Sequence, residues 1–132
     1  MEEVNIYNLI HMDISLNKNI PSDIIIIGKI NRLHIYYKYD QLDLSKVECN
    51  IISYYNQEGN SIKNHKLPNS LQELWCHDNQ LTSLPDHIPN SLKKLYCPNN
   101  RLTLFPNLPN SLKKLFCYNN KLTSFPNLNM LT

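Results

Sequence analysis

Three near-copies of one segment of about twenty residues fill the C-terminal half of this chain. They begin at Leu67, Ile88 and Leu108, and a fourth copy begins at Leu128 and reaches only Thr132. Repetition at this period is typical of a solenoid, in which each copy buries its apolar edge only against its neighbours. The sequence therefore predicts successive turns stacked along one axis.

Each copy carries the pattern L-x-x-L-x-C-x-x-N-x-L. Its members are Leu71, Leu74, Cys76, Asn79 and Leu81, then Leu92, Leu95, Cys97, Asn100 and Leu102, then Leu112, Leu115, Cys117, Asn120 and Leu122. This resembles the leucine-rich repeat family, whose signature has leucine where these copies have cysteine. The Leu-Pro or Phe-Pro that follows resembles the short repeats of bacterial effector, amoebal and giant-virus repeat proteins. The resemblance covers residues 67–127. It implies a leucine-rich-repeat solenoid with short parallel β-strands on a concave face, an extended or turn-like convex side, and any helix confined to the N-terminal region.

The spacing within a copy predicts one short strand, around Glu73–Cys76, Lys94–Cys97 and Lys114–Cys117. Side chains of a strand alternate between faces, so the leucine and cysteine of each copy point inward and their neighbours point outward. The asparagine column stands where the chain turns. An amide carries both donors and an acceptor, so it can satisfy backbone groups that the turn buries.

The pattern weakens before residue 67, which divides the chain into residues 1–50 and 51–132. Residues 52–66 are predicted as a degenerate repeat in which Ile52, Tyr55, Gln57, Asn60 and Ile62 reproduce the pattern. The clear repeats are 67–87, 88–107 and 108–127, and 128–132 is a truncated copy. Residues 1–50 are either degenerate repeats, with Ile30-x-x-Leu33-x-Ile35 as a strand, or an N-terminal cap. A cap would use residues 1–29, with Val4, Ile6, Leu9, Ile10 and Ile14 as buried contacts.

The segment from Ile20 allows two interpretations. Four consecutive isoleucines, Ile24–Ile27, favour a buried strand because β-branched side chains suit strands. The segment also loosely resembles the opening of an F-box, a helical adaptor of ubiquitin ligases, with Ile20–Pro21, Asp23, Ile24 and Ile25 at the matching positions. That resemblance implies an adaptor whose N-terminal region recruits ubiquitin-ligase machinery while the repeats select the client.

Composition excludes several classes of function. The chain has 132 residues and a net charge of +2, which argues for one domain and against strong non-specific attraction to nucleic acid. No specific nucleic-acid partner is predicted. Its longest apolar run is far shorter than the ~20 residues of a membrane helix, so no membrane association is expected. The start, MEEVNIYNLI, lacks a basic-then-apolar signal peptide, and we expect a cytoplasmic protein of the source cell or of an infected host.

Cysteines and histidines show no catalytic or metal-binding spacing. Three of the four cysteines occupy one repeat position and are expected to be buried apolar groups, the alternative being a metal or redox column. The paired C-x₂₋₄-C spacing of zinc sites is absent, so no metal or other cofactor is predicted. Cys76, His77 and Asp78 are adjacent, but alternation places Cys76 inward and His77 outward. With two glycines and no phosphate loop, the chain is predicted not to be an enzyme.

The outward strand positions carry the candidate binding residues. They are Glu73, Trp75, His77, Lys94, Tyr96, Lys114, Phe116 and Tyr118. Aromatic and cationic groups together are typical of interface hot spots, so the sequence predicts a module that binds a protein partner through its concave face. Three alternatives remain: stacked rings that only stiffen the sheet, lysines that form a solvated face or contact phosphate, and a structural product with no ligand. An uncapped C-terminal end would also allow self-association.

Overall fold

The computed structural model describes residues 3–5, 9–18 and 25–124, and side chains from 14–18 and 26–124. Nine β-strands and no helix form within these residues. The strands are β1 (Glu3–Asn5), β2 (Leu9–Leu16), β3 (Ile25–Ile35), β4 (Leu42–Asp43), β5 (Val47–Tyr54), β6 (His65–Lys66), β7 (Glu73–Trp75), β8 (Lys94–Tyr96) and β9 (Lys114–Phe116). Truncated copy 128–132 and the end of the third repeat lie outside the described residues.

All strand pairings are parallel, which makes the chain a parallel β-solenoid. One sheet runs in the order β1, β3, β5, β7, β8, β9, with β2 also paired to β3 along its length beyond β1. A second, two-stranded sheet pairs β4 with β6 on the return side of the turns. The predicted repeats and parallel strands are thus confirmed at the level of a solenoid.

One column of apolar side chains runs through the solenoid because the strands pair in register. Leu33 pairs with Ile52, Ile52 with Leu74, Leu74 with Leu95, and Leu95 with Leu115. The first four are fully buried, and Leu115 in the last described strand is half-buried. Burying each such side chain contributes about 1.5–3 kcal/mol. The column therefore supplies much of the stability, and no turn could form it alone.

Four amide side chains, which we call the amide ladder, stand where each turn leaves the sheet: Gln57, Asn79, Asn100 and Asn120. Asn100 donates from Nδ2 to Cys97 O of its own turn at 3.0 Å and to Cys76 O of the preceding turn at 2.9 Å. Its Oδ1 accepts from the backbone N–H of Asn79 at 3.2 Å and of Leu81 at 2.9 Å. One side chain thus satisfies buried backbone groups in two turns.

The degenerate repeat is present in the solenoid, but its predicted alignment was wrong by three residues. Ile52 pairs with Leu74, whereas the pattern had matched it to Leu71. Gln57 occupies the ladder position expected of Asn60. Its Nε2 donates to Tyr37 O and Tyr55 O at 3.0 Å each, and its Oε1 accepts from Asn60 Nδ2 at 3.0 Å. The longer amide replaces asparagine because it reaches the same kind of carbonyl from a differently shaped turn.

The N-terminal residues extend the same sheet. The segment Ile30-x-x-Leu33-x-Ile35 lies in β3, with all three side chains buried, as the strand interpretation predicted. Strands β3 and β5 are longer than the repeat strands because they carry runs of β-branched residues. Ile14 is half-buried against the core. Whether residues 1–50 act as a cap stays a prediction, and Ile6 lies outside the described residues.

The F-box resemblance falls mostly on residues that the structure does not describe. Ile20, Pro21, Asp23 and Ile24 lie outside the described residues. Ile25, the remaining matched position, is the first residue of strand β3 and not part of a helix.

A buried chain of hydrogen bonds links two neighbouring turns, those of β3 and β5. His65 Nε2 lies 2.7 Å from Tyr39 O, and His65 Nδ1 lies 2.8 Å from the Tyr54 hydroxyl. A carbonyl only accepts, so Nε2 carries the proton and Nδ1 accepts from Tyr54. The neutral imidazole is thus fully paired. Burial is the main cause that lowers the pKa of His65 below its usual value.

Removing the Asn100 amide should destabilise the solenoid strongly. Asn100→Ala leaves the backbone N–H groups of Asn79 and Leu81 without their acceptor and removes one donor each from Cys76 O and Cys97 O, and we expect the free energy of unfolding to fall by about 2–4 kcal/mol. Urea denaturation followed by circular dichroism measures this. Asn90→Ala is the matched control, because Asn90 is exposed and its loss should change stability by about 0.5 kcal/mol or less. Equal effects of the two changes would contradict the proposed role of the ladder.

Acid should weaken the fold through His65. Its pKa is depressed in the folded chain, so the unfolded chain binds more protons below the ordinary value of about 6.5. Stability from this group is therefore complete above that pH and is lost as pH falls through the folded-state pKa. Denaturation series at several pH values should show a steeper loss for the wild type than for His65→Gln. His87→Gln, at an exposed position, should keep the wild-type slope; identical slopes for all three chains would refute the assignment.

Candidate interaction surface

Five aromatic side chains cover the outward face of the last three described turns. This aromatic stripe consists of Trp75, His77, Tyr96, Phe116 and Tyr118. Its first column follows from strand register, since Trp75 pairs with Tyr96 and Tyr96 with Phe116. Its second column follows each strand by two residues. Repetition in the sequence thus becomes a line of rings in space.

The rings interlock instead of stacking flat. Ring centroids of Trp75 and Tyr96 lie 4.8 Å apart at 45°, and those of Tyr96 and Phe116 lie 5.1 Å apart at 61°. His77 meets the Tyr96 ring edge-on at 4.9 Å. Tilted and T-shaped pairs are favourable and contribute about 0.5–1.5 kcal/mol each beyond their burial. The stripe is accordingly a preformed, stiff surface.

Exposure rises along the stripe. Trp75 and Tyr96 are half-buried by their neighbours, whereas Phe116 is 38% and Tyr118 55% exposed. Interaction with the Tyr118 hydroxyl is the main cause that raises the pKa of Tyr96 above its usual value. The free protein therefore presents a contiguous apolar patch, which in soluble proteins usually marks an interaction site.

Charged groups are built into the same face. Lys94 Nζ lies 4.4 Å from the centroid of Trp75 and 5.9 Å from that of Phe116, so it spans the rings on either side of its own strand. Such cation–π contacts contribute about 0.5–1 kcal/mol at exposed sites. Glu73 Oε1 accepts a hydrogen bond from Trp75 Nε1 at 3.0 Å. These two contacts hold the indole ring in place from both sides.

The structure brings together seven of the eight predicted residues. Glu73, Trp75, His77, Lys94, Tyr96 and Phe116 are joined by ring contacts, cation–π contacts and a hydrogen bond, and Tyr118 lies beside Tyr96. Lys114 pairs in register with Lys94 and is exposed at the edge of the stripe. Their role in binding a partner stays a prediction.

A second aromatic cluster was missed by the sequence analysis. Tyr36 and Tyr55 stack at 4.5 Å and 13°, and His34 Nδ1 lies 3.0 Å from the Tyr55 hydroxyl. The alignment of Ile52 with Leu71 had assigned Tyr55 to an inward position. Pairing Ile52 with Leu74 instead places Tyr55 in the column of His77. Correct register was the only signal that could have revealed this cluster, and it could not be read from a weakened pattern.

Cys76, Cys97 and Cys117 form a core column, and Cys49 lies outside it, paired with Ile30 in the sheet. Cys49, Cys76 and Cys97 are buried, and Cys117 is half-buried. A hydrogen bond with Cys76, followed by burial, raises the pKa of Cys97, which keeps this thiol protonated. Within the described residues no three cysteine, histidine or acidic side chains are grouped so as to hold a metal ion. The column therefore packs as small apolar side chains in the reduced state.

A groove lies away from the stripe, on the return side of the turns. It encloses about 570 Å³ between Lys63, His65, Lys66 and His87. Both ring nitrogens of His65 are already hydrogen-bonded within the core. The polar side chains that remain for a ligand there are exposed ones such as Lys63, Lys66 and His87.

Thiol reactivity should report the burial of the cysteine column. Under native conditions we expect a chromogenic disulfide reagent to modify Cys117 slowly and the three buried thiols hardly at all, because a protonated, inaccessible thiol is a poor nucleophile. In denaturant all four cysteines should react at once. Cys117→Ser is the control and should remove the native reaction. Fewer than four thiols in denaturant would disprove the reduced core.

Among the described residues, no helix is long and apolar enough to cross a membrane. No family model matches the chain, and neither a curated protein nor a solved structure is significantly similar to it.

Proposed function

We propose that this chain is a non-enzymatic module of the leucine-rich-repeat type that binds a protein partner through the aromatic stripe. One observation supports this most: five aromatic side chains line a single outward face, and two of them, Phe116 and Tyr118, are well exposed. Trp and Tyr are the residues on which binding energy concentrates in protein interfaces. Their rigid rings also lose little conformational entropy on binding.

The repeat type is inferred from how the pattern positions serve the fold. Pattern leucines occupy the buried column, and pattern asparagines occupy the amide ladder. These are the jobs that the repeat signature implies for those positions. We also propose that the protein is cytoplasmic.

Binding is favoured over catalysis by where the reactive groups lie. The thiols of Cys76 and Cys97 are in the core, and His77 lies on the opposite face of the strand. A nucleophile and a base must be within hydrogen-bond reach of each other, which these positions do not allow. The outward face carries rings and lysines, which suit recognition.

The competing view is that the rings merely stiffen the sheet. Ring pairs do stabilise neighbouring strands. Stiffening alone, however, needs no exposed ring, whereas Tyr118 is more than half exposed. The two views differ in what a ring substitution changes: stability alone, or binding as well.

Trp75 offers a direct measurement because it is the only tryptophan of the chain. Peptides selected on the immobilised full chain from a random display library should quench or shift its emission. Tyr96→Ala should weaken their binding by about tenfold or more, since truncating an interface anchor costs 1–2 kcal/mol or more. Leu104→Ala is the control, because Leu104 is 62% exposed and lies outside the stripe. Equal affinity of both variants for every selected peptide would overturn the proposal.

A further inference from the structure

We infer, on the basis of the proposed function, that the stripe receives an acidic, extended polypeptide segment whose carboxylates meet a row of lysines along one edge. The lysine row consists of Lys93, Lys94, Lys113 and Lys114. Lys94 and Lys114 are outward residues of paired strands, and Lys93 and Lys113 precede them at the exposed edge. Four cations therefore stand within two adjacent turns, beside the aromatic stripe.

The carboxylates of the same face are already engaged. Glu73 accepts from Trp75 Nε1. Asp78 Oδ1 accepts from Asn99 Nδ2 at 2.5 Å, and this interaction continues to Asn119 through Asn99 Oδ1 at 2.8 Å. Neither acid is paired with the lysine row. Within the residues that the structure describes, the one salt bridge joins Lys29 to Glu48, on earlier turns of the solenoid.

The stacked lysines repel one another electrostatically, and a partner with carboxylates would remove this repulsion. Strands of a parallel sheet lie about 4.8 Å apart, so Lys94 and Lys114 are like charges on directly opposed positions. Such pairs repel each other. Repetition of Lys-Lys before each strand thus brings together positive charge that the free protein does not neutralise. Carboxylates of a bound segment would be attracted to this row and would steer its approach.

Lys94 connects the charge to the rings. Its ammonium group lies over Trp75 and reaches toward Phe116, so an acid bound there would hold the flanking partner residues against the stripe. Lysine and ring positions are two residues apart on each strand, about 7 Å. An extended segment has a similar spacing between side chains of one face. A segment that carries both acidic and apolar side chains therefore fits the two features together.

Ring geometry favours a polypeptide over a single-stranded nucleic acid. Neighbouring rings are tilted by 45° and 61° and lie about 5 Å apart, so they interlock and do not form a row of open, parallel ring faces on which successive bases could stack. A peptide side chain needs only the edges and the exposed faces of Phe116 and Tyr118. Tighter binding of a single-stranded nucleic acid would therefore count against the inference.

The test compares the composition of peptides selected from a random display library on the full-length chain. On the wild type we expect Asp and Glu to be enriched about twofold or more in peptides whose binding depends on Tyr96, because the row selects by charge. With Lys94→Glu and Lys114→Glu combined, two acids stand beside Lys93 and Lys113, the row has no net charge, and the acidic preference should be lost. Lys121→Glu with Arg101→Glu is the matched control, exposed but off the strand face, and should keep the acidic preference. Thermal melts confirm that each variant is folded.

Salt and nucleic acid complete the test. Binding of the best synthetic peptide, followed by Trp75 emission, should weaken several-fold on raising the salt concentration, because salt screens exposed charges. Peptides that depend on Tyr96 but are neutral or basic would overturn the acidic segment and leave the proposed function standing. Absence of any peptide that depends on Tyr96 would overturn the proposed function itself. Tighter binding of a single-stranded RNA homopolymer than of every selected peptide would assign the row to nucleic acid and refute the inference.

Discussion

The amide ladder is the interaction on which the rest of this solenoid depends. Each turn must leave the sheet sharply, and the buried backbone there has no strand partner. Asn79 solves this by donating to Tyr54 O of the preceding turn at 2.9 Å and to Cys76 O of its own at 3.1 Å, while its Oδ1 accepts from Gln57 N. Because one side chain bridges two turns, it also holds them in register. An unsatisfied group at this depth would cost about 1–3 kcal/mol.

Register turns a repeated sequence into two opposite columns. With the turns aligned, every inward leucine meets another leucine and every outward ring meets another ring. A slip of one residue would exchange the two faces, exposing the leucines and burying the rings and lysines. The buried column of apolar side chains and the aromatic stripe therefore both result from the strand register. Stability and the candidate binding surface cannot be varied independently in this architecture.

The same alignment brings together groups that oppose each other. Rings gain from being close, whereas the lysines beside them repel. Lys94 reduces the conflict by lying over Trp75, where the ring face attracts its charge. Glu73 holds the indole N–H and so does not neutralise the row. A surface that is rigid, apolar and positively charged along one edge results, and this combination is what gives the stripe a preference among partners.

Residues 67–124 and the earlier turns differ in how far they could be predicted. In the clear repeats, the spacing of Leu74, Leu95 and their neighbours shows the repeat period. Because side chains alternate between the faces of a strand, the rings are then placed outward. Before residue 67, other residue types occupy the positions of the repeat pattern. Tyr54 takes an inward position, which is possible because His65 Nδ1 accepts a hydrogen bond from its hydroxyl at 2.8 Å. Gln57 replaces asparagine in the amide ladder. Neither exchange follows the pattern, so Ile52 was matched three residues out of place and Tyr55 was assigned to the core.

By itself the sequence determined three things: that the chain is a repeat solenoid, which residues of the clear copies are buried, and which rings share a face. These depend only on period and alternation, which are local properties of the chain. Only the tertiary structure decided the register of the N-terminal turns, the cluster of Tyr36 with Tyr55, and the position of Lys94 over two rings. Those features depend on how much chain each turn uses before it returns to the sheet, and that length is set by packing and hydrogen bonding between turns.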